Sequence, residues 1–93
     1  MFHLKVEMFG IPAAITSEKD VEVTLNDGAM LPDLVAALRQ AIPAFNGEVV
    51  RRDTDILGDS YTFNLNGHFY AGCERIVLNP GDSVKLLLMA TGG

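Results

Sequence analysis

Few side chains in this sequence are of a type and spacing that could do chemistry. Cys73 is the only cysteine, which rules out an internal disulfide and a thiolate cluster for zinc. In Gly72-Cys73-Glu74-Arg75 the guanidinium could favour the thiolate, the reactive form of the side chain; the plainer reading is an incidental loop cysteine. His3 and His68 fall on different expected strands with no carboxylate or cysteine at metal-ligand spacing, so they read as surface histidines. Arg51-Arg52, followed by Asp53 and Asp55, reads as a solvated charge cluster. No nucleophile elbow, phosphate loop or paired-carboxylate signature occurs. What remains is the end, Ala90-Thr91-Gly92-Gly93. Glycines lack Cβ, so this thin segment can take backbone angles closed to other residues. The plainer reading of such an end is a loose chain terminus.

The 93 residues, 48% of them hydrophobic, suffice for one modest core, and we expect one domain over 1–93 with an exposed tail at 90–93. A chain of this size has little room for both a core and a deep catalytic cleft. It reads as a carrier or binding module that acts with partner enzymes, not as a stand-alone enzyme. A net charge of −5 would repel a phosphate backbone, so no nucleic-acid partner is expected; the same charge could steer the protein toward a basic partner or serve solubility alone. The lone cysteine fits a reducing cytoplasm. The longest apolar run, Leu86 to Ala90, is far too short for a membrane span, and Lys5 and Glu7 interrupt the first apolar stretch, so neither membrane insertion nor secretion is expected.

The elements that would position the tail follow from periodicity. Phe2, Leu4, Val6 and Met8 alternate with His3, Lys5 and Glu7, the period of a strand with one buried face. Val21, Val23 and Leu25 repeat this and stop at Asn26-Asp27-Gly28, which predicts an antiparallel pair. Leu31, Leu34, Val35, Leu38 and Ile42 have helical spacing, with Pro32 and Asp33 suited to a first turn, although neither Met30 nor Leu31 offers a good capping side chain. Pro43 and Gly47 end the helix, and residues 44–60 read as a long connection with short apolar patches at Val49-Val50 and Ile56-Leu57. Tyr61, Phe63 and Leu65 alternate, Asn66-Gly67 suits a tight turn, and Phe69-Tyr70 returns. After Pro80-Gly81-Asp82, Val84 to Met89 forms a strand with apolar residues on both faces. The order predicts an α+β fold, a mixed sheet of four to five strands with one main helix on one face, which a β-grasp arrangement satisfies.

The string from Leu78 to Gly93, LNPGDSVKLLLMATGG, resembles the end of the MoaD/ThiS family of ubiquitin-like sulfur carriers. Gly81-Asp82-Ser83-Val84 stands at the family's distance ahead of Gly92-Gly93, and Phe63-Asn64-Leu65-Asn66-Gly67 is similar to its strand and Asn-Gly turn. With the helix and the strand order, the resemblance covers nearly the whole chain and is weakest at 44–60. One departure is Leu88-Met89, where members serving molybdopterin synthase often carry two prolines that would fix φ at the strand exit. That leaves the sulfur-requiring pathway open.

The resemblance implies that Gly93 is the covalent site: a ubiquitin-activating-like adenylating enzyme uses ATP to activate its carboxylate, sulfur displaces AMP, and the thiocarboxylate serves a sulfur-acceptor enzyme such as a molybdopterin synthase large subunit in molybdenum cofactor biosynthesis. No permanently bound cofactor or metal is implied. Carriers for thiamin, cysteine or tRNA thiolation, and a β-grasp interaction module or protein modifier without sulfur chemistry, are the alternatives. Binding would fall to the body of the domain. Alternation puts Leu87 on the face opposite Val84, Leu86 and Leu88, which are expected to face the helix. Leu87 and Met89, with the tail residues Ala90, Thr91 and Gly92, are the candidate partner-binding residues, methionine being adaptable at such surfaces; a covering loop would remove Leu87 and Met89 from that role.

Overall fold

The computed structural model describes residues 1–89. Strand β1 (Phe2–Phe9) pairs antiparallel with β2 (Asp20–Leu25), helix α1 (Leu31–Ala41) follows, and after a 3-10 turn at Pro43–Phe45 come β3 (Tyr61–Leu65), β4 (His68–Tyr70) and β5 (Val84–Leu88). The sheet order is β2-β1-β5-β3-β4. The last strand therefore lies at the centre, parallel to β1 and antiparallel to β3.

Strict alternation in β1 buries Phe2, Leu4, Val6 and Met8 and exposes His3, Lys5, Glu7 and Phe9. The helix lays Leu31, Leu34, Val35 and Leu38 on that inner face, where each buried side chain contributes roughly 1.5–3 kcal/mol. Val84 and Leu86 complete the layer at 2% and 0% exposure. The helix start has a cap that no residue ahead of it supplies: the Asp33 carboxylate reaches back and accepts a hydrogen bond from the Met30 N–H at 2.8 Å, which also places negative charge at the positive end of the helix.

Residues 44–60, expected as a connection, instead supply core. Phe45, Val49, Val50 and Leu57 are buried, while Ile56 is exposed. Nor are the charges there merely solvated. Arg51 pairs with Asp59 at 2.6 Å, Asp55 with Arg39 of the helix at 2.9 Å, and the Asn46 carboxamide accepts from the Asp53 N–H at 2.7 Å. These surface contacts add little to stability; burial of Phe45, Val49, Val50 and Leu57 holds the segment, although their spacing is too irregular to show a period.

The β3–β4 turn uses Asn66 and Gly67 at φ 52° and 92°, the left-handed pair that matches strand twist. The Asn66 side chain also ties this turn to the entrance of β5, accepting from the Ser83 N–H at 2.9 Å and donating to Asp82 at 3.1 Å.

Beyond β4, Gly72 has φ +105°, and a Cβ on it would lie 3.2 Å from Leu57 Cβ and 3.3 Å from the Phe63 ring. Gly72→Ala is therefore expected to cost about 1–3 kcal/mol, read as a lower urea midpoint at unchanged slope. In the same loop the Glu74 carboxylate accepts from the N–H groups of Ala71 and Gly72 at 2.9 and 2.8 Å. Burial pushes its pKa up, but hydrogen bonds from the backbone of Ala71, Glu74, Gly72 and Cys73 outweigh this and hold the carboxyl below its usual 4.5. A depressed pKa contributes stability that is present above the unfolded-state value and is lost as pH falls through the folded one. Glu74→Gln should flatten the acid limb of the stability profile below about pH 4.5, with faster amide exchange at Ala71 and Gly72 than in the wild type at neutral pH.

Candidate functional site

The site is built where β5 leaves the sheet. Leu87 lies opposite Phe9 of β1 and Thr62 of β3, on the face away from the helix. The next row on this face runs Glu7, Lys85, Asn64 and Phe69. Leu87 is half-buried, whereas Phe9 is 45% and Phe69 66% exposed. Phe9 and Leu87 thus form an apolar patch at the end of the sheet from which the chain departs, with Thr62 beside Leu87 and Phe69 one row back next to Asn64; the charges of Glu7 and Lys85 and the Lys5–Asp20 pair at 3.6 Å lie behind it.

Leu88 corrects the sequence reading. It shares the parity of Val84 and Leu86 and pairs with Tyr61, but it is 40% exposed; its neighbour on the β1 side is Gly10, which has no side chain to cover it. Met89 is 42% exposed and fixed by its N–H donating to the Ser60 carbonyl at 2.8 Å. Beside it a recess of about 320 Å³ opens between Tyr61, Thr62, Phe69, Tyr70 and Ala71. Burial, and secondarily the negative charge of Glu48, raises the Tyr61 pKa above its usual 10.0, so the phenol stays neutral and able to donate. Inside the sheet, Thr62 Oγ1 donates to the Tyr70 carbonyl at 2.9 Å, which satisfies the one polar side chain buried in this region.

Of the residues expected at the site, Leu87 and Met89 fall together here; Ala90, Thr91, Gly92 and Gly93 lie outside the described residues. Phe9 and Phe69 were not singled out from the sequence. Phe9 carried the signal that marked Leu87, an apolar residue at the parity of Lys5 and Glu7, and Phe69 stands opposite Asn64 in a hairpin whose register Asn66-Gly67 sets. Elsewhere, His3 Nδ1 sits 3.0 Å from the Thr24 hydroxyl and 3.7 Å from Glu22, an exposed pair. Cys73 is free and exposed, with the neighbouring carboxylate of Glu74 turned to the backbone. Among the described residues no helix is long and apolar enough to cross a membrane. The surface at the end of β5 presents the apolar side chains of Phe9, Leu87 and Met89 beside the neutral hydrogen-bonding groups of Tyr61 and Thr62.

No protein-family model matches the sequence, and no curated protein matches it significantly. Solved structures do match. SAMP1 from Haloferax volcanii superposes with a TM-score of 0.79 at 26% identity, over 98% of this chain and 99% of its own. SAMP1, the small archaeal modifier protein 1, from Methanosarcina acetivorans gives 0.74 at 21% identity over 100% and 98%. A Pyrococcus furiosus protein provisionally described as molybdopterin converting factor, subunit 1, gives 0.71 at 21% over 97% and 100%. These structural neighbours are MoaD/ThiS-like, ubiquitin-like β-grasp proteins, and theirs is the α+β fold this chain adopts.

Proposed function

We propose that this protein carries sulfur on its C-terminal carboxylate. The observation that carries the reading is the central position of β5, which leads to Met89 and an exposed apolar surface, with Ala90-Thr91-Gly92-Gly93 next in the sequence. Met89, from which the tail continues, is tied to Ser60 beside this surface, so a partner that grips the surface also lies next to the start of the tail.

A carboxylate is a poor electrophile. In the proposed cycle an adenylating enzyme binds the patch formed by Phe9 and Leu87, with Phe69 at its margin, and takes the tail into its active site. A Gly93 carboxylate oxygen attacks the α-phosphorus of ATP and pyrophosphate leaves. A sulfide-level nucleophile then attacks the carbonyl carbon and AMP departs with the bonding electron pair, leaving a thiocarboxylate. The acceptor enzyme would be of the molybdopterin synthase large-subunit type. The 26% identity to SAMP1 supports a second reading, a protein modifier, in which an amine attacks the same adenylate and forms an amide. Both readings require Gly93 and the same docking surface, and they part only at the nucleophile.

Incubated with an adenylating enzyme of this type, ATP and a sulfur donor, the intact chain is expected to gain the mass of one oxygen-to-sulfur exchange. Deleting Gly93 or adding a residue after it should abolish the gain, since displacement of a reacting atom by about 1 Å already costs an aligned reaction heavily. Cys73→Ser should leave it intact. A gain that followed Cys73 and survived loss of Gly93 would replace this reading with a thiol relay, and an amide to lysine without any sulfur gain would favour the modifier. Leu87→Asp tests the surface: partner affinity should fall about tenfold or more while the urea midpoint changes little. The reverse pattern would mean that Leu87 serves folding and not docking.

A further inference from the structure

At the other side of the sheet β2 is an edge strand. Its six residues pair with β1 alone, and among the described residues no backbone group of 21–25 bonds outside that pairing. Such an edge is a template for a further strand. The opposite edge, β4, is only three residues long.

Beside β2 the helix leaves space. Two adjoining recesses, of about 380 and 290 Å³, share Thr24, Ala37 and Gln40 as walls. On this side the helix presents Ala36, Ala37 and Ala41, whose side chains end at Cβ, so the inner-face side chains of an added strand would have room. The walls carry Glu22, Asp27 and Asp33 and no lysine or arginine. On the outer face, Asp20 and Glu22 would stand next to the added strand's outward side chains; their present partners are Lys5 at 3.6 Å and His3 at 3.7 Å. Asp27 faces the chain's amino terminus at 3.3 Å, and Asp33 caps the helix. A second copy suits this edge poorly, because antiparallel pairing centred on Glu22 would set two glutamates side by side, and pairing centred on Val23 would set Glu22 against Thr24, with no cation to meet it.

We propose that β2 and the alanine side of α1 receive an extended basic segment of a partner protein as a sixth strand, its alternate residues aliphatic over Ala37 and Ala41 and lysine or arginine beside Asp20 and Glu22. This docking edge is separated from β5 by β1, so Leu87 and Met89 stay free while it is occupied. It does not depend on the carrier reading.

The test uses the full chain, isotope-labelled, and a blocked synthetic peptide of alternating lysine and valine about seven residues long, enough to span β2. Saturable amide shifts at Val21–Leu25, Ala37 and Gln40 are expected. N-methylating alternate peptide amides should weaken binding about tenfold or more by removing ladder bonds, as should the exposed filling variant Ala41→Leu. Glu22→Lys should weaken it about tenfold, and a glutamate–valine peptide should not bind. The proposal is overturned if the lysine–valine peptide fails to bind, or if its shifts centre on Leu87. It is equally overturned if N-methylation and Ala41→Leu leave the affinity unchanged, which would mark diffuse charge attraction. A peptide-free dimer with protected β2 amides would assign the edge to a second copy instead.

Discussion

Val6 lies opposite Val84 and Met8 opposite Leu86 where the first and last strands run parallel, and everything else hangs on that pairing. Parallel neighbours need a crossover connection; here the connection is nearly the whole chain, and α1 lies within it as the cover for the inner face. Without β5 the β1–β2 hairpin and the β3–β4 hairpin would share no strand. Such long-range pairing must close a large loop before any of its contacts form, an entropic cost that local pairing does not carry.

The same strand has two duties, separated by parity. Val84 and Leu86 are core, at 2% and 0% exposure, whereas Leu87 belongs to the outer face with Phe9. The two faces of β5 are therefore under different constraints: volume on one, and an open apolar surface on the other. Lys85, in the outer row with Glu7 and Asn64, keeps that surface from becoming a continuous apolar stripe, which an exposed sheet would otherwise offer to aggregation.

Where a period was clean, the sequence was legible. The alternation of β1, β2 and β3, the helical spacing of Leu31, Leu34, Val35 and Leu38, and Asn66-Gly67 yielded elements that the structure has at nearly those bounds. The helix cap was missed because Asp33 acts backward from inside the first turn and not from ahead of it. The burial of Phe45, Val49, Val50 and Leu57 was missed because a segment built of turns has no period to read. At the site, the outer face of Leu87 was legible from parity, but the exposure of Leu88 was not, since its neighbour Gly10 is set beside it only by the fold. The sixth-strand edge could not be read at all: alanines in a helix look like good helix formers until β2 is seen to run alongside them.

The central pairing also decides how the molecule bears load. β1 begins near Met1 and β5 ends near Met89, and because they run parallel these points lie at opposite ends of the paired segment. Tension between the two ends pulls the strands past each other along their length, and the hydrogen bonds between them must yield together rather than one by one. A pull on Met89 against a hold on the start of β1 would therefore load the pairing in shear along its whole length.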